Sequence, residues 1–205
     1  MVVFALTRWP GLMPANFSAT YALAFCAGVY FSKKWAWWLP LVTLLCTDLA
    51  INSFYQHRYE ADPAQYAAPM EFFNPYLVAN YLGYAFLIWL GTRIKPSSSW
   101  TRLLGGGIAG ALVFYLISNT ASWLQFPGYQ KTLAGWIQAL TTGLPGWPPT
   151  WMFLLKTLFS GGLFTGLFVG AMKLSEATET EETEEETEEE AEAEQPEAEP
   201  DQAPA

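Results

Sequence analysis

The sequence predicts an all-α integral membrane protein: a bundle of five full transmembrane helices, with a short N-terminal half-helix, a re-entrant or interfacial helix, and a disordered acidic C-terminal tail. Three observations predict it. Among 205 residues, 52% are hydrophobic and 17% aromatic while only 14% are charged, a membrane composition diluted by something polar. Five apolar runs approach the ~20 residues that a helix needs to cross a bilayer. The diluent is one segment, EATETEETEEETEEEAEAEQPEAEPD from Glu176 to Asp201, which holds 15 of the 19 acidic residues and no Lys or Arg.

In chain order, MVVFALTRWPGLM is too short to span and lacks the basic start and small-residue cleavage site of a secretory signal, so it reads as half a helix. The full spans follow at residues 16–31, 35–54, 76–94, 103–123 and 150–172. Before the last of them, TLAGWIQALTTGLPGWPP is short and interrupted by Gly and Pro, which suits a re-entrant or interfacial helix. Residues 1–175 form the transmembrane domain and hold all ten basic side chains against four acidic ones, a net charge of +6. Residues 176–205 cannot bury enough apolar surface to offset the entropy of ordering, and are expected to be a disordered, solvated tail.

Lys and Arg in short loops are retained on the cytoplasmic side. Lys33, Lys34, Arg93, Lys95, Arg102 and Lys173 fall on one side of the predicted topology, Arg8, Arg58 and Lys131 on the other. This bias puts the tail in the cytoplasm, and the loop YQHRYEADPAQYAAPMEFFNP and the 124–149 connection outside.

That orientation gives the intramembrane polar residues a depth. At ~1.5 Å per residue, Asp48 lies about 9 Å below the outer surface, with Asn52 one turn nearer to it, and Asn80 and Asn119 sit at about 6 Å. Asn16 opens the first full span from the same side. Tyr76, Asn80 and Tyr84, and likewise Tyr115, Asn119 and Trp123, repeat every four residues along their helices. A carboxylate inside a span is costly and is turned inward for a reason, so Asp48 with its amide and phenol neighbours reads as the polar floor of a pocket open to the outside. The rival reading is that Asp48 only hydrogen-bonds neighbouring helices. Small-residue faces at Gly106 with Gly110, and at Gly162, Gly166 and Gly170, permit close helix packing or docking of a partner.

The order PANFSATYALAFCAGVYF, WLPLVTLLCTDLAIN, then FYLISNTASWL followed by GYQKTLAGW resembles a family of bacterial membrane proteins described as substrate-binding (S) components of energy-coupling-factor (ECF) transporters. The resemblance covers nearly all of residues 10–172. It implies a six-helix protein of the bacterial cytoplasmic (inner) membrane, with cytoplasmic termini, that binds a micronutrient near the outer surface. The partners implied are the lipid bilayer, a small-molecule substrate, and a transmembrane coupling subunit with two ATPases. Carried over by position, the motif residues are Asn16, Asp48, Asn119, Lys131 and Thr132. The first helix of such proteins carries a small-residue docking face, which the short segment MVVFALTRW does not show.

Catalysis finds little support. His57 is the only histidine and sits in a polar loop, Cys26 and Cys46 fall on different helices, and LLGGGIAG lacks the Lys-Ser/Thr ending of a phosphate-binding loop. No enzyme activity, cofactor, metal or nucleic-acid partner is expected. Two function classes remain: a solute-binding transporter subunit, and a membrane scaffold whose acidic tail recruits a cytoplasmic partner.

Overall fold

The computed structural model describes residues 1–14, 16–64 and 73–193, with side chains described as far as residue 179. Ala15, residues 65–72 of the expected outer loop with Glu71, and residues 194–205 of the expected tail lie outside the described residues. Seven helices and no strand occur among the described residues: α1 (Val2–Arg8), α2 (Thr20–Tyr30), α3 (Lys33–Ala61), α4 (Pro75–Gly91), α5 (Trp100–Gln125), α6 (Leu133–Leu140) and α7 (Thr150–Ala193). Two units divide the chain, residues 1–169 and 170–205, the boundary falling inside α7.

Among the described residues, three helical stretches are long and apolar enough to cross a membrane: Lys33–Ala61, Trp100–Gln125 and Thr150–Glu179. The expected span at 16–31 is shorter than the sequence suggests, because α2 has only 11 residues. Asn16, in a left-handed conformation at φ 63°, sits in the turn preceding α2 and cannot belong to a right-handed helix. At 1.5 Å per residue α2 covers roughly 16 Å, about half a bilayer core. The 17 residues of α4 begin at Pro75, whose ring suits a first helical position, and the Asn74 side chain caps them by accepting from the Leu77 amide at 2.9 Å. At the far end of the chain α7 continues to Ala193, through residues 176–193 where disorder was expected. Extending an existing helix carries no nucleation cost, and Glu and Ala are good helix formers, which favours continuation over a fresh start.

Burial separates the helices by role. Every residue from Thr20 to Val29 of α2 is buried, as expected for a helix apolar on all sides. In α3 the reverse holds: only 11% of the apolar stretch is buried, and Trp35, Trp38, Val42, Leu45 and Leu49 stand exposed. An apolar helix with an exposed apolar face is what a lipid-contacting surface requires.

Because lipid is as apolar as leucine, contact between such helices depends on close backbone approach. Such an approach pairs α2 with α4. A methyl group on Gly28 would overlap the Ile88 carbonyl oxygen, and one on Gly91 would overlap that of Phe25. The small-residue faces expected on α5 and α7 are used differently. Gly106 lies under Phe25 and Ile94, and Gly110 under Leu87, so both serve packing within the chain. Gly162 packs against Ile108, a methyl group on Gly166 would stand 3.8 Å from Trp100 in ordinary contact, and Gly170 belongs to the second unit.

Candidate functional site

The start of α2, the C-terminal half of α3, the start of α4, the C-terminal half of α5 and the start of α7 come together in unit 1. A cavity of about 810 Å³ opens there. Lys33, Lys34, Arg93, Lys95 and Arg102 lie at the opposite ends of α3, α4 and α5. The residues between α1 and α2 and the turn between α6 and α7 complete the rim.

An aromatic cluster forms the floor. Tyr84 and Phe114 have ring centroids 4.7 Å apart, Tyr21 and Phe114 4.9 Å, and Tyr21 stacks on Tyr84 at 6.2 Å with an interplanar angle of 11°. All three rings are buried. Gly83 makes room for this arrangement, since a methyl group there would stand 2.6 Å from the Phe114 ring. Tyr115, also in the wall, donates from its hydroxyl to the carbonyls of Leu140 at 2.7 Å and Thr150 at 3.2 Å, tying α5 to the ends of α6 and α7. Trp136 donates to the Thr120 hydroxyl at 2.9 Å and so docks α6 on α5. Tyr129 reaches the cavity from the loop after α5; burial holds its phenol above the ordinary value, and a hydrogen bond with Thr150 partly offsets that.

Asp48 is not alone. Arg8 at the end of α1 forms an ion pair with it, and the same guanidinium donates to the Thr47 hydroxyl at 3.0 Å and approaches the Leu44 carbonyl at 3.5 Å. Both charged side chains are mostly buried, at 17% and 15% exposure, and both line the cavity. The pair therefore fastens the N-terminal segment to α3. From the sequence Arg8 reads as a loop charge, whereas the structure places it at the end of α1 against Asp48. The signal was available: a lone cation in an apolar N-terminal segment and a lone anion in a span are expected to find each other.

Of the residues expected at the site, the cavity gathers Asn16, Asp48, Asn80, Tyr84, Tyr115 and Asn119. Asn52 and Trp123 do not line it. An i+4 step overshoots a full turn by about 40°, so Trp123, two such steps from Tyr115, leaves the face on α5, although Tyr76, Asn80 and Tyr84 on α4 all stay on it. The cavity face alternates threes and fours instead, through Leu44, Asp48, Ile51 and Tyr55 on α3 and through Tyr115, Ser118 and Ser122 on α5. Trp123 instead donates to the Gln130 carbonyl at 2.8 Å. Lys131 and Thr132 also stand outside the lining. Lys131 donates to the carbonyls of Trp123 and of Phe126, the latter at 2.8 Å, at the negative end of the α5 dipole. Thr132 caps α6 by accepting from the Gly135 amide at 3.2 Å.

Among the described residues, no three of His, Cys, Asp and Glu come close enough together to hold a metal ion. Cys26 is buried and Cys46 exposed, and His57 is exposed, with Nδ1 against the Ser53 carbonyl at 2.8 Å.

Compared with known proteins, residues 1–183 match the profile of a family of unknown function (DUF6580). No curated protein matches, and no solved structure does.

Proposed function

The chain belongs to this family of unknown function, and from that premise we propose that it is a membrane-embedded solute-binding protein, working as an S-type subunit of a micronutrient uptake transporter. The observation that carries the proposal is the cavity: about 810 Å³, within the range of small-molecule sites, with an aromatic floor and a few convergent polar groups. Three helical stretches of membrane-spanning character support an integral membrane location. In the fuller reading, α2 and α4 join them to make five crossings, with the shortness of α2 made up by the turn that precedes it. The protein then resides in the bacterial inner membrane, its cavity facing outward and its acidic tail in the cytoplasm. A coupling subunit and ATPases would supply the energy, since a binding cavity by itself moves nothing against a gradient.

Side-specific labelling tests the orientation. In a Cys46→Ser background, Gln130→Cys, between α5 and α6, is expected to react with a membrane-impermeant maleimide on intact cells, and Ser97→Cys, between α4 and α5, only after the membrane is opened. Both native residues are exposed. The reverse pattern would turn the cavity toward the cytoplasm and remove the uptake reading.

A further inference from the structure

Resting on the solute-binding reading above, we infer that the cavity selects a net-neutral, planar solute, and that the Arg8–Asp48 pair sets this charge selectivity. Among the described residues, Arg8 and Asp48 are the only charged side chains lining the cavity. Each already holds the other, and Arg8 is further committed to Thr47 and Leu44. A cation entering this space finds no free carboxylate, and an anion finds no free guanidinium. Either must bind without a counter-charge in a region of low dielectric or separate the pair, leaving one of its members uncompensated. A neutral solute avoids both costs, and a zwitterion exchanges one pair for two.

The rest of the lining fits the same class. The floor of Tyr21, Tyr84 and Phe114 offers a packed aromatic surface to a flat molecule, and Asn80 and Asn119 supply amides that can meet donors and acceptors at its edge. An unpaired Asp48, by contrast, would invite a cation.

The test is a melting-temperature screen of the full-length protein in nanodiscs. The net-neutral group is riboflavin, nicotinamide, adenine and pyridoxine; the cations are thiamine and choline; the anions are nicotinate and pantothenate. A ligand bound by the folded state alone raises its stability. Stabilisation is expected within the neutral group and absent from both charged groups. In Arg8→Gln, which leaves the carboxylate unpaired, thiamine or choline is expected to give a shift that the wild type lacks. A wild-type shift with a cation or an anion as large as that within the neutral group would overturn the inference and leave solute binding standing. A folded Arg8→Gln protein indifferent to both cations would remove the pair as the source of selectivity. No shift in any group would overturn the inference, because a cavity made for net-neutral planar solutes should accept at least one of the four. If Arg8→Gln does not fold, the wild-type screen decides alone.

Discussion

Replacing Gly28 by alanine is expected to destabilise the protein by about 3 kcal/mol or more, at the upper end of what overpacking costs. The added methyl group would overlap the Ile88 carbonyl oxygen, which is backbone and cannot rotate away, so α2 and α4 would have to separate along their crossing. Since α2 is buried on all sides, the separation would propagate into the contacts of α2 with α3 and α5. Gly105→Ala is the matching control. A methyl group at that position on α5 meets nothing within 4 Å, and alanine improves helix propensity by roughly 0.5–1 kcal/mol. Melting curves in detergent should show a large drop for the first variant and none for the second. Equal behaviour would mean that the α2–α4 crossing is not as close as described.

The second large effect concerns Asp48. From the sequence, Asp48→Asn removes a buried charge and is expected to keep or improve stability. The ion pair reverses that expectation, because the substitution strands Arg8. For a pair that is mostly but not fully buried, the loss lies between the values for exposed and for buried pairs, about 1–3 kcal/mol. Arg8→Gln should cost a similar amount by stranding Asp48, although it also gives up the hydrogen bond to Thr47. The double variant should cost less than the sum of the two, with a coupling of roughly 1–3 kcal/mol by a double-mutant cycle. Additive losses would show that the two side chains do not meet in the membrane-embedded protein.

How much of this was legible in the sequence depended on the length over which each signal acted. Long apolar runs announced α3, α5 and α7, since twenty residues of hydropathy outweigh any single exception. The helix ends were harder to see. No run-length rule shows that Asn16 adopts a left-handed conformation and delays α2 to Thr20, nor that α3 continues past Phe54 to Ala61 once its apolar run has ended. At the site, Asp48, Asn80 and Asn119 stood out because polar residues are conspicuous in apolar surroundings. Ser118 and Ser122 did not, because serine is common in membrane helices and its position in the wall follows from the rotation of α5. The pairing of Arg8 with Asp48 spans forty positions in sequence and depends on α1 packing beside α3, a tertiary fact that periodicity does not carry. Lys131 and Thr132 matched a motif, yet the same two residues terminate one helix and start the next.

A cavity that holds a small molecule should carry it through purification, and mass spectrometry of what the protein retains reads this out. The full-length protein and a Ser122→Trp variant would be equilibrated in nanodiscs with a small-molecule extract of bacterial cells, washed and denatured, and the released compounds compared. Ser122 lines the cavity and donates only to the Ser118 carbonyl, at 3.1 Å, so tryptophan there fills space that a solute would occupy while disturbing little else. With the variant's melting temperature confirming that it is folded, the wild type should retain at least one compound that the variant loses. Identical small-molecule profiles from the two folded proteins would show that the cavity binds no solute, because a cavity that binds one cannot be indifferent to being filled.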